Sequence, residues 1–124
     1  MTEYATGQIW ALPAIDSVPP ILVAIHSLET QDPIGTILGV SVTPHPEAKK
    51  LGWPTVSHLP IHAAHIDLEL GRLVSEDAEP REDFWEGYNI WAAKLRTGDA
   101  GVFALSAAKT YGLTQAILKD KNDD

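Results

Sequence analysis

Hydrophobic positions change their spacing near Pro54. Ahead of it the pattern is that of strands. In "GQIWALP" (Gly7 to Pro13), Ile9, Trp10 and Leu12 suit a short strand between a glycine and a proline. The run "PPILVAIHSLE" follows Pro19 and Pro20, is rich in β-branched residues and has almost no polar alternation. Such a run predicts a central strand covered on both faces, with the prolines tolerated because they precede the ladder. "TQDPIG" (Thr30 to Gly35) is turn chemistry. "TILGVSVTP" resumes as a strand, which makes an antiparallel hairpin the simplest reading, and Gly39 predicts a bulge or a close approach of another element. "HPEAKKLGWPT" reads as a loop, and "TVSHL" as a fourth strand.

Beyond Pro54 the spacing becomes helical. Pro80 fits a first helical position, Glu82 and Asp83 suit the positive end of a helix dipole, and Phe84, Tyr88, Trp91, Ala92 and Leu95 fall on one stripe. Lys94 and Arg96 occupy the last turn, and Gly98 supplies the stop. Trp85 lies off the stripe, which predicts an indole left partly exposed or used against a partner. "AGVFAL" reads as a short strand. Ser106 caps a final helix with Ala107, Tyr111 and Leu118 on one face beside Thr114, and Gly112 weakens that helix.

The segment "SHLPIHAAHIDLELG" (Ser57 to Gly71) fits two patterns. As a strand, Ile66, Leu68 and Leu70 alternate with His65, Asp67 and Glu69. As a helix begun near Pro60, Ile66, Leu70, Leu73 and Val74 form the buried stripe, and the length of the pattern favours this reading. The expected whole is one α+β domain over residues 1–124: mainly strands over 1–59, mainly helices over 60–118, a frayed tail over 119–124. Its core is a small bent antiparallel sheet, in the closed limit an SH3-like barrel, packed by two or three helices.

Composition narrows the functions. Hydrophobic residues make up 44% of the 124, enough for one core. The formal net charge is −8, and the nine Lys and Arg residues are scattered, with only Lys49 and Lys50 adjacent. Nucleic-acid affinity rests largely on clustered cations, so a nucleic-acid partner is not expected. "SEDAEPREDFWE" (Ser75 to Glu86) holds six carboxylates against one arginine. It reads either as a solvated loop and helix start or as a docking patch for a basic partner. The absence of cysteine excludes disulfides, Cys-based zinc sites and thiol catalysis. The start "MTEYATGQIW" lacks the form of a signal peptide, and no apolar run approaches the ~18 residues of a membrane span. A cytoplasmic address without membrane partners is expected.

Three of the five histidines, His58, His62 and His65, lie in the ambiguous segment. On a helix, His62, His65 and Glu69 would share a flank at i, i+3 and i+7, and two imidazoles with a carboxylate can hold a divalent metal. Alanines at Ala63 and Ala64 remove the general-base glutamate of the H-E-x-x-H pattern, and on a strand His62 and His65 part to opposite faces. The plainer reading is a polar flank without metal or cofactor. His26, within an apolar run, reads as a satisfied core or strand-end residue, and His45 as a loop residue. Ser27, Ser41 and Ser57 stand near histidines but lack the context of a nucleophile elbow. "GTILG" and "GDAG" lack the lysine and spacing of a phosphate loop. Trp53, beside Gly52 and Pro54, either anchors an interface or closes the end of the sheet.

The order "GQIWALP", "PPILVAIHSLE", "TILGVSVTP" resembles the opening strands of the small SH3-like barrels of the MazF/PemK toxin superfamily, over about the first 60 residues. The resemblance implies ribonucleases that use an arginine before the proline of the second strand and a hydroxyl residue after the third. Pro19 stands at the arginine position and Thr43 at the hydroxyl position. The missing arginine removes the group that would stabilise developing phosphate charge. The resemblance thus implies the fold more than the activity.

The expected function is a non-enzymatic protein-binding or self-assembling module whose contact residues are Trp53, Glu82, Asp83 and Trp85. The alternatives are a metal-dependent hydrolase at His62, His65 and Glu69, a degenerate ribonuclease-like barrel, and an antitoxin-type partner whose acidic surface neutralises a basic protein.

Overall fold

The computed structural model describes residues 4–15, 18–31, 35–79, 82–98 and 101–122. Five strands form one antiparallel sheet in the order β4-β3-β2-β1-β5: β1 (Ile9–Leu12), β2 (Ile21–Gln31), β3 (Gly35–Pro44), β4 (Val56–His62) and β5 (Arg72–Ser75). Two helices follow, α1 (Glu82–Arg96) and α2 (Ala107–Asn122). The sheet is open, with β4 and β5 at its edges, where a closed barrel would have joined them. The class is α+β.

The β2–β3 hairpin forms where the apolar runs predict it, with Gln31 opposite Gly35; the turn signal at Asp32 and Pro33 lies outside the described residues. Ile21, Val23 and Ile25 meet Val40 and Val42 on one face of the sheet. With Trp10, Leu12, Leu38, Leu59, Ile61, Ile66 and Leu68 they form a dry core that α2 extends through Ala107, Ala108 and Tyr111. The other face carries α1. Its periodic stripe behaves as expected, with Phe84 and Trp91 buried, while Trp85 stays 42% exposed. Pro80 lies outside the described residues. Gly98 adopts φ +80 at the end of α1, a conformation that glycine takes without a Cβ penalty.

The segment from Ser57 to Gly71 is not a helix. It completes β4 at His62, turns through Ala63 to His65 and makes a short 3-10 turn at Leu68–Leu70 before β5. Leu59 and Ile61 alternate into the core, and Ile66 and Leu68 follow them. Leu70, Leu73 and Val74, three of the four residues of the supposed helical stripe, are exposed. Pro60 is tolerated because β4 is an edge strand. Its carbonyl accepts from the Phe103 N–H at 2.9 Å, and the Phe103 carbonyl accepts from the His62 N–H at 2.9 Å. Thus, among the described residues of "AGVFAL", Phe103 makes a parallel bridge to Ile61 and no strand forms.

Ser106 caps α2 as its position predicts, its hydroxyl accepting from the Lys109 N–H at 3.3 Å. Gly112, expected to weaken the helix, lets it approach the core: a Cβ there would stand 3.0 Å from Val18 Cγ2. The helix runs through Asn122, past Lys119, where composition placed the start of a frayed tail. Among the described residues no helix is long and apolar enough to cross a membrane.

Candidate functional site

The α1 side of the sheet is built around two departures from strand register. In β2, Ile25 pairs with Val40 and Ser27 with Gly39, so His26 is the extra residue of a bulge. In β4, Val56 pairs with Val42 and Leu59 with Val40, so Ser57 and His58 share the space opposite Ser41. A bulge re-aims side chains, and both histidines are thereby brought against α1. His26 lies 4.8 Å from Phe84 and His58 5.2 Å from it, centroid to centroid and both edge-on. His58 also meets Tyr88 at 5.8 Å and Trp91 at 5.5 Å. The face is completed by Gly39, where a Cβ would collide with Ser27 Oγ and lie 3.1 Å from Phe84 Cζ. The close approach predicted at that glycine is what lets Phe84 reach the sheet.

Polar groups are concentrated in this layer. His26 Nε2 is 2.9 Å from Ser41 Oγ, a buried pair fifteen residues apart in sequence. His26 Nδ1, Ser27 Oγ and His58 Nε2 are buried and, among the described residues, have no hydrogen-bond partner. Burial disfavours the imidazolium: it lowers the pKa of His26, and it brings that of His58 from 6.5 to about 4. Both rings are therefore neutral at pH 7. The Tyr88 hydroxyl donates to both Glu29 carboxylate oxygens, at 3.0 and 3.1 Å, tying α1 to β2; burial first, then that carboxylate, raise its pKa.

Beside this layer a cleft of about 420 Å3 opens, lined by Thr6, Gly7, Ile25, His26, Glu76, Asp77, Ala78 and Trp85. Its walls are fixed by the backbone. The Gly7 N–H donates to the Ile25 carbonyl at 2.8 Å, and the Ala78 N–H donates to the Gly7 carbonyl at 2.9 Å. Gly7 has φ +94, and a Cβ there would lie 2.6 Å from the Glu76 carbonyl oxygen, so this wall needs glycine twice over. Buried Gln8 holds the turn below, its Oε1 accepting from the Ala5 N–H at 3.0 Å and the Trp10 indole N–H at 3.1 Å. Glu76 and Asp77 are exposed, and among the described residues neither has an ion-pair partner. Trp85 stands edge-on to Phe84 at 4.9 Å and Tyr88 at 5.5 Å, leaving the rest of its indole to the cleft and the solvent.

The other sequence candidates fall elsewhere. Glu82 and Asp83 occupy the first turn of α1, in the same acidic segment as the cleft. Trp53 is half-buried against the α2-side core, 5.2 Å from Tyr111, whose hydroxyl donates to the Pro54 carbonyl at 2.6 Å. It packs against the core that α2 extends, whereas Trp85 lies on α1 against Phe84 and Tyr88. His62 and His65 do meet, their rings 5.6 Å apart across the turn after β4, and His62 Nδ1 accepts from the Ala64 N–H at 3.1 Å. Glu69 does not join them. It is drawn to the Tyr4 hydroxyl, and among the described residues no three His, Asp or Glu side chains gather to hold an ion. The i, i+3, i+7 flank fails because the helix that would have aligned it does not form.

Sequence reasoning gave Gly7 and His26 no functional part, and held Glu76 and Asp77 only as members of the acidic stretch from Ser75 to Glu86. The local signals were a lone histidine in an apolar run and a glycine leading a strand, and each has an ordinary structural explanation. Their convergence depends on a bulge and on pairing of β5 with β1, Ile9 to Ser75 across the sheet. No family model matches the chain, and no curated protein or solved structure matches it either.

Proposed function

We propose that the chain is a non-enzymatic binding module that docks a basic partner protein on the acidic face around Trp85. The observation that carries this is a large aromatic side chain, 42% exposed, lining a backbone-pinned cleft together with Glu76 and Asp77. Exposed tryptophans beside preformed concavities make efficient anchors, because they bury a large area with little loss of rotamer freedom. The surrounding carboxylates, including Glu79, Glu82 and Glu86, speed the encounter with a cationic surface and repel polyanions. Ser41 and His26 are in contact at 2.9 Å, and both are largely buried. The likeness to MazF/PemK barrels enters only as a proposed relation of fold. With Pro19 at the arginine position it carries no ribonuclease step.

The test uses the full chain and a synthetic peptide of alternating arginine, lysine and glycine, followed by calorimetry. The wild-type chain binds the peptide, and Trp85→Ala weakens binding at least roughly tenfold while changing stability by less than about 1 kcal/mol, as befits a partly exposed side chain. Absence of binding by the wild type, or a Trp85→Ala variant that binds normally yet melts far lower, contradicts the proposal.

A further inference from the structure

We infer that the groove between the end of β1 and the turn before β5 binds a small free carboxylic acid with a branched apolar body. Its volume of about 520 Å3 exceeds that of the cleft at Trp85 and lies within the roughly 300–1,000 Å3 of ligand sites. Among the described residues the two cavities share no lining residue. Leu12, Pro13, Pro20 and Leu70 give the groove its apolar walls, and Leu70 is 58% exposed, a large apolar side chain that the core leaves to the solvent. The walls are held by the backbone. The His45 N–H donates to the Pro20 carbonyl at 2.9 Å, and the Gly71 N–H to the Leu68 carbonyl at 3.0 Å. A Cβ at Gly71 would collide with the Ala11 carbonyl oxygen, so glycine is what lets this turn come against β1. A groove formed in advance has less ordering to lose when a ligand enters.

Two groups on the lining set the charge of the ligand. Arg72 has no acid partner among the described residues, in a chain where seventeen Asp and Glu stand against nine Lys and Arg. Its guanidinium is a planar fork that matches a carboxylate. His45 adds a donor, because its tautomer is fixed by its own loop. Nδ1 accepts from the Glu47 N–H at 3.2 Å, so the neutral ring carries its proton on Nε2. Among the described residues that N–H has no acceptor. Glu47 is the acid on the lining. It stands 3.9 Å from Nδ1, the far nitrogen of the ring, and its side chain is 84% exposed to water. A ligand ammonium would meet Arg72 in the groove, and a small bare anion would leave the apolar walls unused. One carboxylate on an apolar body satisfies both the donors and the walls.

The experiment titrates the 15N-labelled full chain with 4-methylpentanoate and, separately, with 4-methylpentanamide, acetate and N-acetyl-leucine. The backbone amides of Ala11, Leu70, Gly71 and Arg72 and the His45 ring nitrogens are followed. 4-Methylpentanoate is expected to shift them with a dissociation constant no weaker than about 1 mM. The neutral amide should bind several-fold more weakly, and acetate should move none of these signals at the same concentration. Arg72→Gln, at an exposed position, should weaken 4-methylpentanoate roughly tenfold with the melting temperature unchanged, the order expected for losing a charge-assisted pair. Equal binding of acid and amide, or binding that survives Arg72→Gln, overturns the inference. So does acetate that moves the same signals as strongly, since the apolar walls then play no part. Shifts centred away from the groove, or none, overturn it as well. N-acetyl-leucine binding several-fold more tightly than the free acid would make the occupant a peptide terminus and overturn it too.

Discussion

The two faces of the sheet solve the same packing problem with different chemistry. On the α2 side Val23, Ile25, Leu38, Val40, Val42 and Ile61 pack in strict alternation, fully buried and without a polar side chain among them. On the α1 side the layer is His26, Ser27, Gly39, Ser41 and His58 beneath Phe84, Tyr88 and Trp91, reached through two register shifts. A sheet can be stabilised by its dry face alone. Bulges and orphaned polar atoms cost free energy, and on this face they gather beside an open cleft.

The comparison can be broken by substitution. Phe84 is the fully buried side chain of α1 at the polar layer, touching His26, His58 and the space above Gly39. Phe84→Ala is expected to destabilise the fold by about 3–5 kcal/mol in denaturant unfolding. A cost below about 1 kcal/mol would mean that the layer is not packed as described. Val40→Thr places a hydroxyl in the dry layer with nothing to bond, at an expected cost of about 1–3 kcal/mol. A neutral outcome there would erase the distinction between the faces.

Protonation sharpens it. His58 has its pKa lowered by burial from 6.5 to about 4, so in this window the unfolded chain holds a proton that the folded chain refuses. Stability is therefore full above pH 6.5, falls as the pH drops toward 4, and levels below it as far as this residue is concerned. His26 shifts in the same direction and adds to the slope. His58→Leu should flatten the dependence of unfolding free energy on pH across this range. A slope unchanged by that substitution would assign the effect to other groups. The smallest change is Ser27→Ala. Its hydroxyl is buried without a partner, so removal should be neutral or stabilising by up to about 1 kcal/mol, opposite in sign to Val40→Thr.

These contrasts also explain what could be read from the chain. The helix α1 was legible because Phe84, Tyr88, Trp91 and Leu95 repeat the helical period, and the β2–β3 hairpin because its apolar runs flank a turn. Trp85 stood out as the residue off the stripe. The histidine segment misled because Ile66, Leu70, Leu73 and Val74 match a helix by spacing, whereas Ile66 and Leu68 are the pair the core takes. Which pair is used depends on β5 joining β1, a contact more than sixty residues apart that local periodicity does not encode. The cleft was hidden for the same reason. The phase change at His26 turns two successive side chains toward α1, and the expectation of a satisfied core histidine holds for Nε2 but not for Nδ1.

The most direct test of the central claim is a map of backbone amide shifts when the arginine–lysine–glycine peptide is added to the labelled chain. The account predicts changes confined to Gly7, Ile25 and His26, Glu76 to Ala78 and the start of α1 around Trp85, with the α2 face unmoved. Changes centred on Trp53 and α2, or on the exposed edge of β5, would contradict it.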